Sequence, residues 1–503
     1  MADITTNEHH HIVMLPFMAQ GHLIPFLTLA NKINKRFGFT ITIATTPLNA
    51  AYLNTAIKST NSSQKNIHSF SLDFNPAEHG LPPNTENTEG LPLAQIVNLF
   101  HSSTSLQLPF RSLIRDISAR EGAPPLCIIS DVFMGWANQV AQSCGTHNIA
   151  FTTGGAYGTS AYVSLWQHLP HRKIDEDDNG YFRVPGFPDS SLFHVTQIHR
   201  FLRAADGTDS WSTFFQPQIA NSLDSFGWLC NTAEEIEPFG LDVLRKYAKC
   251  PVWAIGPLVP PTMLNNNTSH PRIIGQHTGR VPGASAEKCL KWLDSHPKRS
   301  VLYISFGSQN TISPCQMMAL AMGLEDSKTP FIWVIRPPIG FDLKGEFKPE
   351  WLPHEFEKRT GEKRQGLVVH GWAPQLEILC HGSTGAFMSH CGWNSTVESL
   401  SQGVPMIGWP LAAEQGYNAK MLVEEMGVCV EITRGVDSKI NREGVKEVVE
   451  KVMGRGEKAE EMKRKASHIG ELIRAGLSEE GSSNKAMDHF VSALLSSKLK
   501  RVD

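Results

Sequence analysis

No apolar run in the 503-residue chain approaches the roughly 18 residues that a membrane-spanning helix needs. The first residues carry Asp3 and Glu8 and lack the basic start and long apolar core of a signal peptide, so we expect none. Neither sign of charge dominates, because the formal net charge is −3 and the pI is near 6.7. This balance favours neither nucleic acid nor a membrane as a partner. We therefore expect a cytoplasmic protein in which any anion-binding capacity is local.

Cysteine is too scattered to build a disulfide framework. The nine cysteines, an odd number, run from Cys127 to Cys429 without a recurring spacing, which favours a reducing compartment. The pairs Cys380-His381 and His390-Cys391 contain zinc-binding residue types. Neighbouring strand residues point to opposite faces, however, so neither pair converges easily on one ion. We therefore expect no metal and no bound cofactor.

Hydrophobic residues make up 41% of the chain and charged residues 19%, which is ordinary for a globular protein, and the length favours at least two domains. Short apolar runs that suit buried strands alternate with helical stretches, which predicts an α/β fold with doubly wound parallel sheets. The predicted strands are His11 to Phe17, Phe39 to Thr45, Ile67 to Phe74, Pro125 to Ser130, Asn148 to Thr153, Gly227 to Asn231, Val252 to Leu258, Val301 to Phe306, Phe331 to Ile335, Leu367 to His370, Gly385 to His390 and Pro405 to Leu411.

A segment of different composition divides this alternation. Residues 257–282 contain five prolines and three consecutive asparagines with little periodicity, which is typical of a linker. We expect an N-terminal domain over residues 1–257, a linker over 258–285, a second domain over 286–483, and a C-terminal helix within 484–503. Two Rossmann-like halves joined in this way suit a ligand held in the cleft between them.

The most informative stretch lies between Trp372 and Gln415. Within it, GAFMSH (Gly385 to His390) indicates a buried strand, and STVESLS indicates a helix that stops at Gly403 before Pro405. With the apolar run that follows, the segment predicts one strand–helix–strand unit of a parallel sheet. The turn after its first strand faces a ligand, and free N–H groups at the helix start form a seat for an anion.

The residue types at this turn suit a nucleotide. His390, Gly392, Asn394 and Ser395 can all donate hydrogen bonds to phosphate oxygens. Glu398 lies one helical turn beyond Asn394, where a carboxylate can accept hydrogen bonds from a ribose diol. The tryptophan of the WAPQ loop can stack on a planar base. Base, ribose and phosphates would then each be engaged.

These 44 residues resemble the signature box of plant secondary-product UDP-glycosyltransferases, the family-1 enzymes with a GT-B fold. The match includes WAPQ, HCGWNS, Glu398, Pro405 and the closing Glu414-Gln415, whereas Ala412 stands where the family often has Tyr or Phe. FMAQGHLIP and CIISDVFMGW resemble the family's catalytic-His and Asp motifs. The resemblance implies two Rossmann-like domains facing each other across a cleft, with the C-terminal helix packed back on the first. It also implies a monomer that binds a UDP-sugar and a small-molecule acceptor.

Two residues of these motifs suit a general base and its partner. Helical periodicity predicts a helix over Leu23 to Phe37, with Pro25 in its first turn. His22 lies directly after a predicted strand and turn, at the start of this helix, where the helix dipole disfavours imidazolium and keeps the ring neutral. Asp131 ends a later parallel strand, so both side chains project from the carboxyl edge of one sheet. A carboxylate fixes the tautomer of its histidine and stabilises the imidazolium formed in proton transfer. The spacing alone does not establish the pair, but the resemblance implies that both are catalytic in an inverting transfer.

The resemblance also implies which residues hold the donor, UDP-glucose. Glutamine at the last position of the box goes with glucose in this family, whereas histidine there goes with galactose. The implied contacts are Ser308, His390, Gly392, Asn394 and Ser395 around the diphosphate, Trp372 and Ala373 at uracil, Gln375 and Glu398 at ribose, and Trp393, Glu414 and Gln415 at the sugar, with Gly21 beside the donor.

The implied product is the β-glucoside of a small lipophilic acceptor, a flavonoid or other phenolic or a terpenoid. Use of another UDP-sugar, such as UDP-galactose or UDP-xylose, stays open, as does transfer to nitrogen rather than oxygen. A third hypothesis is a nucleotide-sugar-binding protein without turnover. The presence of both His22 and Asp131 argues against it. Aromatic residues that could line an acceptor pocket in the N-terminal half are Phe133, Trp136, Trp166, Phe187, Phe201, Trp211 and Phe214.

Overall fold

The computed structural model describes residues 10–59, 66–89, 91–174, 179–264, 283–342 and 345–499. Seven strands of the N-terminal half form one parallel sheet in the order β3-β2-β1-β4-β5-β8-β9, and β6 and β7 form a small antiparallel pair. The strands are β1 (His11–Leu15), β2 (Thr40–Thr45), β3 (Ile67–Ser71), β4 (Cys127–Asp131), β5 (His147–Thr152), β6 (Tyr181–Phe182), β7 (Phe193–His194), β8 (Gly227–Cys230) and β9 (Val252–Ala254).

A second parallel sheet of six strands follows in the C-terminal half, in the order β12-β11-β10-β13-β14-β15. The predicted doubly wound α/β fold is therefore confirmed. The strands are β10 (Val301–Ser305), β11 (Phe331–Ile335), β12 (Gly366–His370), β13 (Thr384–Ser389), β14 (Met406–Gly408) and β15 (Cys429–Glu431).

Helices cover both faces of each sheet, which is why the central strands are apolar throughout rather than alternating with polar residues. In β1, Val13 and Leu15 pack into one core cluster while Ile12 and Met14 pack into another on the opposite face. The helices are α1 (Gln20–Phe37), α2 (Pro47–Ser59), α3 (Ile96–Ser102), α4 (Gln107–Glu121), α5 (Trp136–Ser143), α6 (Ala156–His168), α7 (Arg200–Ala204), α8 (Ser210–Leu223), α9 (Pro238–Ala248), α10 (Ala286–Asp294), α11 (Pro314–Ser327), α12 (Phe356–Glu362), α13 (Gln375–Cys380), α14 (Trp393–Ser401), α15 (Gln415–Glu424), α16 (Arg442–Met453), α17 (Glu457–Leu477) and α18 (Ser482–Leu499).

Both sheets have a point at which the strand order reverses. It lies between β1 and β4 in the first sheet and between β10 and β13 in the second. Open parallel sheets leave a crevice there, outside the carboxyl ends of the strands, and ligands bind in it. His22 follows β1 and Asp131 ends β4, while Ser308 follows β10 and His390 follows β13. The sheet topology alone therefore brings these four residues to two crevices.

The start of α1 differs from the prediction. The helix begins at Gln20 rather than Leu23, because the Ala19 carbonyl already accepts hydrogen bonds from the N–H groups of His22 and Leu23. The first turn contains no apolar residue, so periodicity could not reveal it. Pro25 consequently lies inside the helix and not in its first turn.

Several strands are shorter than predicted, above all β9 and β14, and three short strands, β6, β7 and β15, were missed. The apolar run from Val252 ends as a strand at Ala254. Beyond it, the Ile255 N–H donates to the carbonyl of Cys230, the last residue of β8, and the Gly256 N–H donates to the carbonyl of Thr232, outside the strand. β14 covers only three residues, and β15 had no prediction. Strands this short carry too few residues for a pattern to be recognised. Of the predicted linker, residues 265–282 lie outside the described residues.

The last helix of the chain, α18, packs on the first sheet. Met487, Phe490, Val491 and Leu494 are buried in the core cluster of that sheet. The Phe490 ring meets the Trp253 ring of β9 edge to face, with centroids 5.3 Å apart. This helix therefore packs on the half that contains β1.

This packing predicts a stability contribution from α18. We expect Phe490→Ala to lower the free energy of unfolding by about 3–5 kcal/mol, because it leaves a cavity in a closely packed core. Urea unfolding followed by tryptophan fluorescence measures it. His489→Ala, at the exposed neighbouring position, is the matched control. Equal stability of the two variants would contradict the packing of α18.

Candidate active site

A single large cavity connects the crevices of the two sheets. Its volume is about 1300 Å³, and residues of both halves line it. Pockets for one drug-sized ligand are roughly 300–1,000 Å³, so this cavity has room for two ligands side by side. The predicted catalytic and donor-binding residues line it with the exception of Asp131. Of the aromatic residues considered for the acceptor pocket, Phe133, Phe201 and Trp211 line it, whereas Trp136, Trp166, Phe187 and Phe214 do not.

His22 and Asp131 form the hydrogen bond predicted from their positions on the sheet. The distance from His22 Nδ1 to Asp131 Oδ2 is 2.6 Å, and the aspartate is fully buried. Its other oxygen, Oδ1, accepts a hydrogen bond from the Phe133 N–H at 3.0 Å. With the aspartate ionised, Nδ1 carries the proton and Nε2 is left with the lone pair. The geometry suits a base whose basic nitrogen is fixed in advance.

The charge balance at His22 corrects one expectation. Burial lowers the pKa of His22, but the charge and hydrogen bond of Asp131 and the charge of Glu414 raise it, and the net pKa lies above the ordinary value. The helix start was expected to lower the pKa of His22, and this effect is therefore outweighed. The reason is that two carboxylates, one from each half of the chain, act on the same ring. His22 is a stronger base than predicted.

An arginine that closes β11 holds the loop after β10. The Arg336 guanidinium donates to the carbonyls of Ser308 and Gly307, both at 2.6 Å, and of Asn310 at 2.5 Å. Gly307 has a φ of 74°, and a Cβ there would lie 2.7 Å from the His390 ring. The loop therefore passes directly over His390 with three of its carbonyls turned to one cation.

His390 itself is a neutral imidazole. Burial and then the charge of Arg336 lower its pKa to about 4. At neutral pH it can take part in hydrogen bonds but adds no positive charge. Gly392 precedes α14 with an extended backbone and has no side chain to satisfy the first N–H groups of the helix. The Trp393 N–H bonds to the Glu414 carboxylate, and no capping side chain serves the N–H groups that follow it in the first turn.

Three predicted residues form one hydrogen-bonded group beside Trp372 and Ala373. The Gln375 amide Nε2 donates to Glu398 Oε2 at 2.6 Å and to Ser395 Oγ at 3.1 Å. Burial raises the pKa of Glu398 to about 7, although the bond from Gln375 opposes this. A ligand whose hydroxyl groups donate hydrogen bonds to Glu398 would stabilise its carboxylate form.

The segment from Trp372 to Gln415, called the box below, ends at Gln415, and the Gln415 side chain holds the main chain just before it. Gln415 Oε1 accepts hydrogen bonds from the N–H groups of Leu411 at 2.9 Å and Ala412 at 2.8 Å. The amide NH₂ group is therefore the part of Gln415 that can serve a ligand. Burial raises the pKa of Glu414, which lies close enough to His22 for their charges to interact.

The start of α14 contacts the N-terminal half at two points. Trp393 Nε1 donates to the Asn231 carbonyl at 2.7 Å, so the indole N–H of Trp393 is already used. Asn394 Nδ2 donates to the Gly21 carbonyl at 3.1 Å. That carbonyl would normally bond to the N–H four residues on, but residue 25 is a proline and has none. The predicted donor residues on α14 are thus held against the first turn of α1.

Asn231 and Glu237 were missed by the sequence reasoning. Asn231 Nδ2 donates to the Thr153 carbonyl at 3.0 Å, and its Oδ1 accepts from the Leu258 N–H at 2.7 Å. The buried carboxylate of Glu237 accepts from the first two N–H groups of α6, both at 3.0 Å. A polar residue directly after β8 was a usable signal for Asn231, but its partner Trp393 lies 162 positions later.

Within the described ranges, no three His, Cys, Asp or Glu side chains are grouped so that they could hold a metal ion. No helix in this part of the chain is both long and apolar enough to cross a membrane. All nine cysteines are free thiols. Trp409 is fully buried in the core.

Known proteins resemble the chain over nearly its full length. The family model described as UDP-glucoronosyl and UDP-glucosyl transferase matches residues 261–468, and the model Glycosyltransferase, N-terminal domain, matches residues 8–167. Crocetin glucosyltransferase 3 of Crocus sativus is 44% identical, over 90% of this chain and 93% of its own. UDP-glycosyltransferase 92A1 of Arabidopsis thaliana is 38% identical, over 97% and 98%. The structure of Glycyrrhiza uralensis UGT73P12 complexed with glycyrrhetinic acid 3-O-monoglucuronide has a TM-score of 0.82 at 29% identity, covering 98% of this chain and 97% of that one.

The charge balance at His22 can be tested without any ligand. We expect Asp131→Asn to lower the pKa of His22, because it removes the negative charge and weakens the hydrogen bond that raise it. NMR titration of ¹³C-labelled histidine measures this, with His22→Gln to assign the signal. Glu121→Gln, which removes the carboxylate paired with His11, is the control and should leave the His22 titration unmoved. An unchanged pKa in Asp131→Asn would show that the pair does not set it.

Proposed function

This chain belongs to the family-1 UDP-glycosyltransferases of plants and has their GT-B fold, and from that premise we propose that it transfers glucose from UDP-glucose to a hydroxyl of a small lipophilic acceptor. The product would be a β-glucoside formed with inversion. The observation that carries this proposal is the His22–Asp131 pair, whose free imidazole nitrogen belongs to a residue lining the same cavity as the box.

In the proposed reaction, His22 Nε2 takes the proton of the acceptor hydroxyl. The oxygen attacks the anomeric carbon of the α-linked sugar from the face opposite the diphosphate. One carbon–oxygen bond forms as the bond to the diphosphate breaks, and UDP leaves with the electron pair. Asp131 stabilises the imidazolium, and no covalent enzyme intermediate is needed.

The geometry of the box supports a division of the donor among separate groups. We assign uracil to Trp372 and the main chain of Ala373, and ribose to the Gln375–Glu398 pair. The diphosphate would lie between the start of α14 and the loop that Arg336 holds, where neutral His390 adds a hydrogen bond. Residues assigned to this part are Gly21, Ser308, Gly392, Asn394 and Ser395.

The sugar would lie between the diphosphate and His22, against Glu414 and Gln415. Both side chains line the cavity, and the free NH₂ of Gln415 can bind a sugar hydroxyl. The main chain of Trp393 is adjacent, although its indole N–H is engaged elsewhere. Glutamine at this position favours glucose over galactose, and the alternative donors remain UDP-galactose and UDP-xylose.

The acceptor would bind in the N-terminal part of the cavity. Phe17, Phe100, Phe133 and Phe215 line that part, which suits a flat phenolic or a terpenoid. The names of similar proteins, for crocetin and for a glycyrrhetinic acid glucuronide, also support a lipophilic acceptor. Nine free thiols support a cytoplasmic location, and we propose a monomer, as the resemblance implies. We expect neither a metal nor a bound cofactor.

A product screen tests the proposal. Purified protein is incubated with UDP-glucose, UDP-galactose or UDP-xylose and a panel of phenolic and terpenoid alcohols, and products are identified by mass spectrometry. NMR of the product gives the configuration at the anomeric carbon. An α-linked product would exclude inversion, and binding of UDP without any product would favour the non-catalytic alternative.

The assignment of the base predicts the behaviour of His22→Ala. We expect turnover to fall about 10²–10⁴-fold, because general base catalysis is lost, while UDP still binds. Initial rates by liquid chromatography and UDP affinity by calorimetry measure the two effects. His489→Ala, exposed on α18, should retain full activity. Normal turnover by His22→Ala would remove the proposed base.

The loop held by Arg336 predicts a defect in donor binding. We expect Arg336→Met to raise KM for UDP-glucose about tenfold, since three charge-assisted hydrogen bonds to the loop are lost. Arg336→Lys should rescue only part, because an ammonium lacks the planar fork of a guanidinium. Arg442→Met, which removes an exposed arginine paired with Asp326, is the control. A change in acceptor KM alone would contradict this role.

A further inference from the structure

The acceptor part of the cavity has an unusual charge pattern. Among the described residues that line the cavity from the N-terminal half, none is Asp or Glu, whereas Arg200 and Arg203 both line it. They lie three positions apart on α7 and therefore on one face of that helix. From this pattern and the aromatic series described below we propose that the enzyme selects acceptors that carry an anionic group, above all a carboxylate. The proposal rests on the proposed glucosyl transfer and names its acceptor class.

A continuous series of aromatic rings links His22 to Arg200. Phe133 lies 5.4 Å from His22 and 5.3 Å from Phe215, as measured between ring centroids. Phe215 is stacked on Trp211 at 5.9 Å with only 4° between their planes. Every ring of the series lines the cavity. A flat apolar acceptor can therefore lie against this wall.

The series ends at a cation. Trp211 is stacked on Phe201 at 4.8 Å, and the Arg200 guanidinium carbon lies 5.0 Å from the centre of the Phe201 ring. An acceptor whose hydroxyl is at His22 would extend along the rings toward α7. A carboxylate at its far end would meet Arg200 and Arg203, where charge-assisted hydrogen bonds can form.

The acids nearest to these arginines in sequence are already engaged. Asp206 accepts hydrogen bonds from the main chain and hydroxyl of Thr208 and from the Asp209 N–H. Asp209 caps α8 by accepting from the N–H groups of Trp211 and Ser212. Neither aspartate lines the cavity. Both arginines are exposed at its wall and can receive an anion from solvent.

The cavity wall formed by the C-terminal half favours one orientation of an anionic acceptor. Acidic residues line the cavity only from the C-terminal half among the described residues, and Glu414 lies close to His22. A carboxylate placed beside Glu414 would be repelled, whereas one placed at α7 would be attracted. The hydroxyl end of the acceptor, not the carboxylate end, is therefore directed to His22. The expected product is a glucoside at the hydroxyl and not a sugar ester.

The experiment compares a flat phenol of two or three rings that carries a carboxylate at the far end with its methyl ester. We expect a lower KM for the acid than for the ester in the parent enzyme, with glucose added to the hydroxyl of both. In the Arg200→Gln/Arg203→Gln double variant, the ratio of acid KM to ester KM should rise about five- to tenfold. The advantage of the acid should also shrink as salt is raised.

Arg183→Gln is the matched control, because Arg183 is an exposed arginine paired with Asp189 outside the cavity, and the ratio should not move. Equal KM values for acid and ester in the parent, or a ratio unaltered in the double variant, would overturn the anionic acceptor while leaving glucosyl transfer intact. A glucosyl ester as the product would overturn the proposed orientation. Absence of turnover of both compounds with all three UDP-sugars would overturn both proposals.

Discussion

The arrangement of this enzyme depends on how the start of α14 is seated on the first sheet. The Trp393 indole is only 3% exposed and donates to the carbonyl of Asn231. A Cβ on Gly155 would lie 2.8 Å from this indole, so a side chain there would displace it. Asn231 in turn holds the Thr153 carbonyl, and Thr153 Oγ1 lies 3.4 Å from His22 Nδ1. The hydrogen bond between Trp393 and Asn231 thus links the box of the C-terminal half to His22 of the N-terminal half.

Burial disfavours the charged form of each buried titratable side chain discussed here. The neighbouring groups decide whether its pKa finally rises or falls. Burial and Arg336 lower the pKa of His390 to about 4, so this imidazole stays neutral beside the expected diphosphate. At His22 the same burial is outweighed by Asp131 and Glu414, so this imidazole can accept a proton. At Glu398 the hydrogen bond from Gln375 only partly opposes the effect of burial, and the pKa rises to about 7. The pKa values of two histidines of one cavity are therefore shifted in opposite directions.

Sequence patterns were sufficient where the cause is local. Strands buried on both faces give continuous apolar runs, so most strands and the parallel topology were predictable, and with them the meeting of His22 and Asp131. What could not be predicted depends on contacts between distant segments. The pKa of His22 is shifted partly by Glu414 of the other half, and Arg336 acts on main-chain carbonyls, which leave no trace in residue types. The first turn of α1 carries no apolar residue and gave no periodic signal.

Pro25 shows how a contact between distant segments can change the structural role of a residue. The sequence suggested a proline in the first turn of a helix, where it is harmless, but it lies deeper and removes one hydrogen bond of α1. The carbonyl left over belongs to Gly21, at the cavity wall, and it accepts the Asn394 amide of the other half. Gly21 is only partly buried, so the Asn394 amide takes the place of a hydrogen bond that water could otherwise supply. The irregularity of α1 therefore belongs to the interface that builds the site.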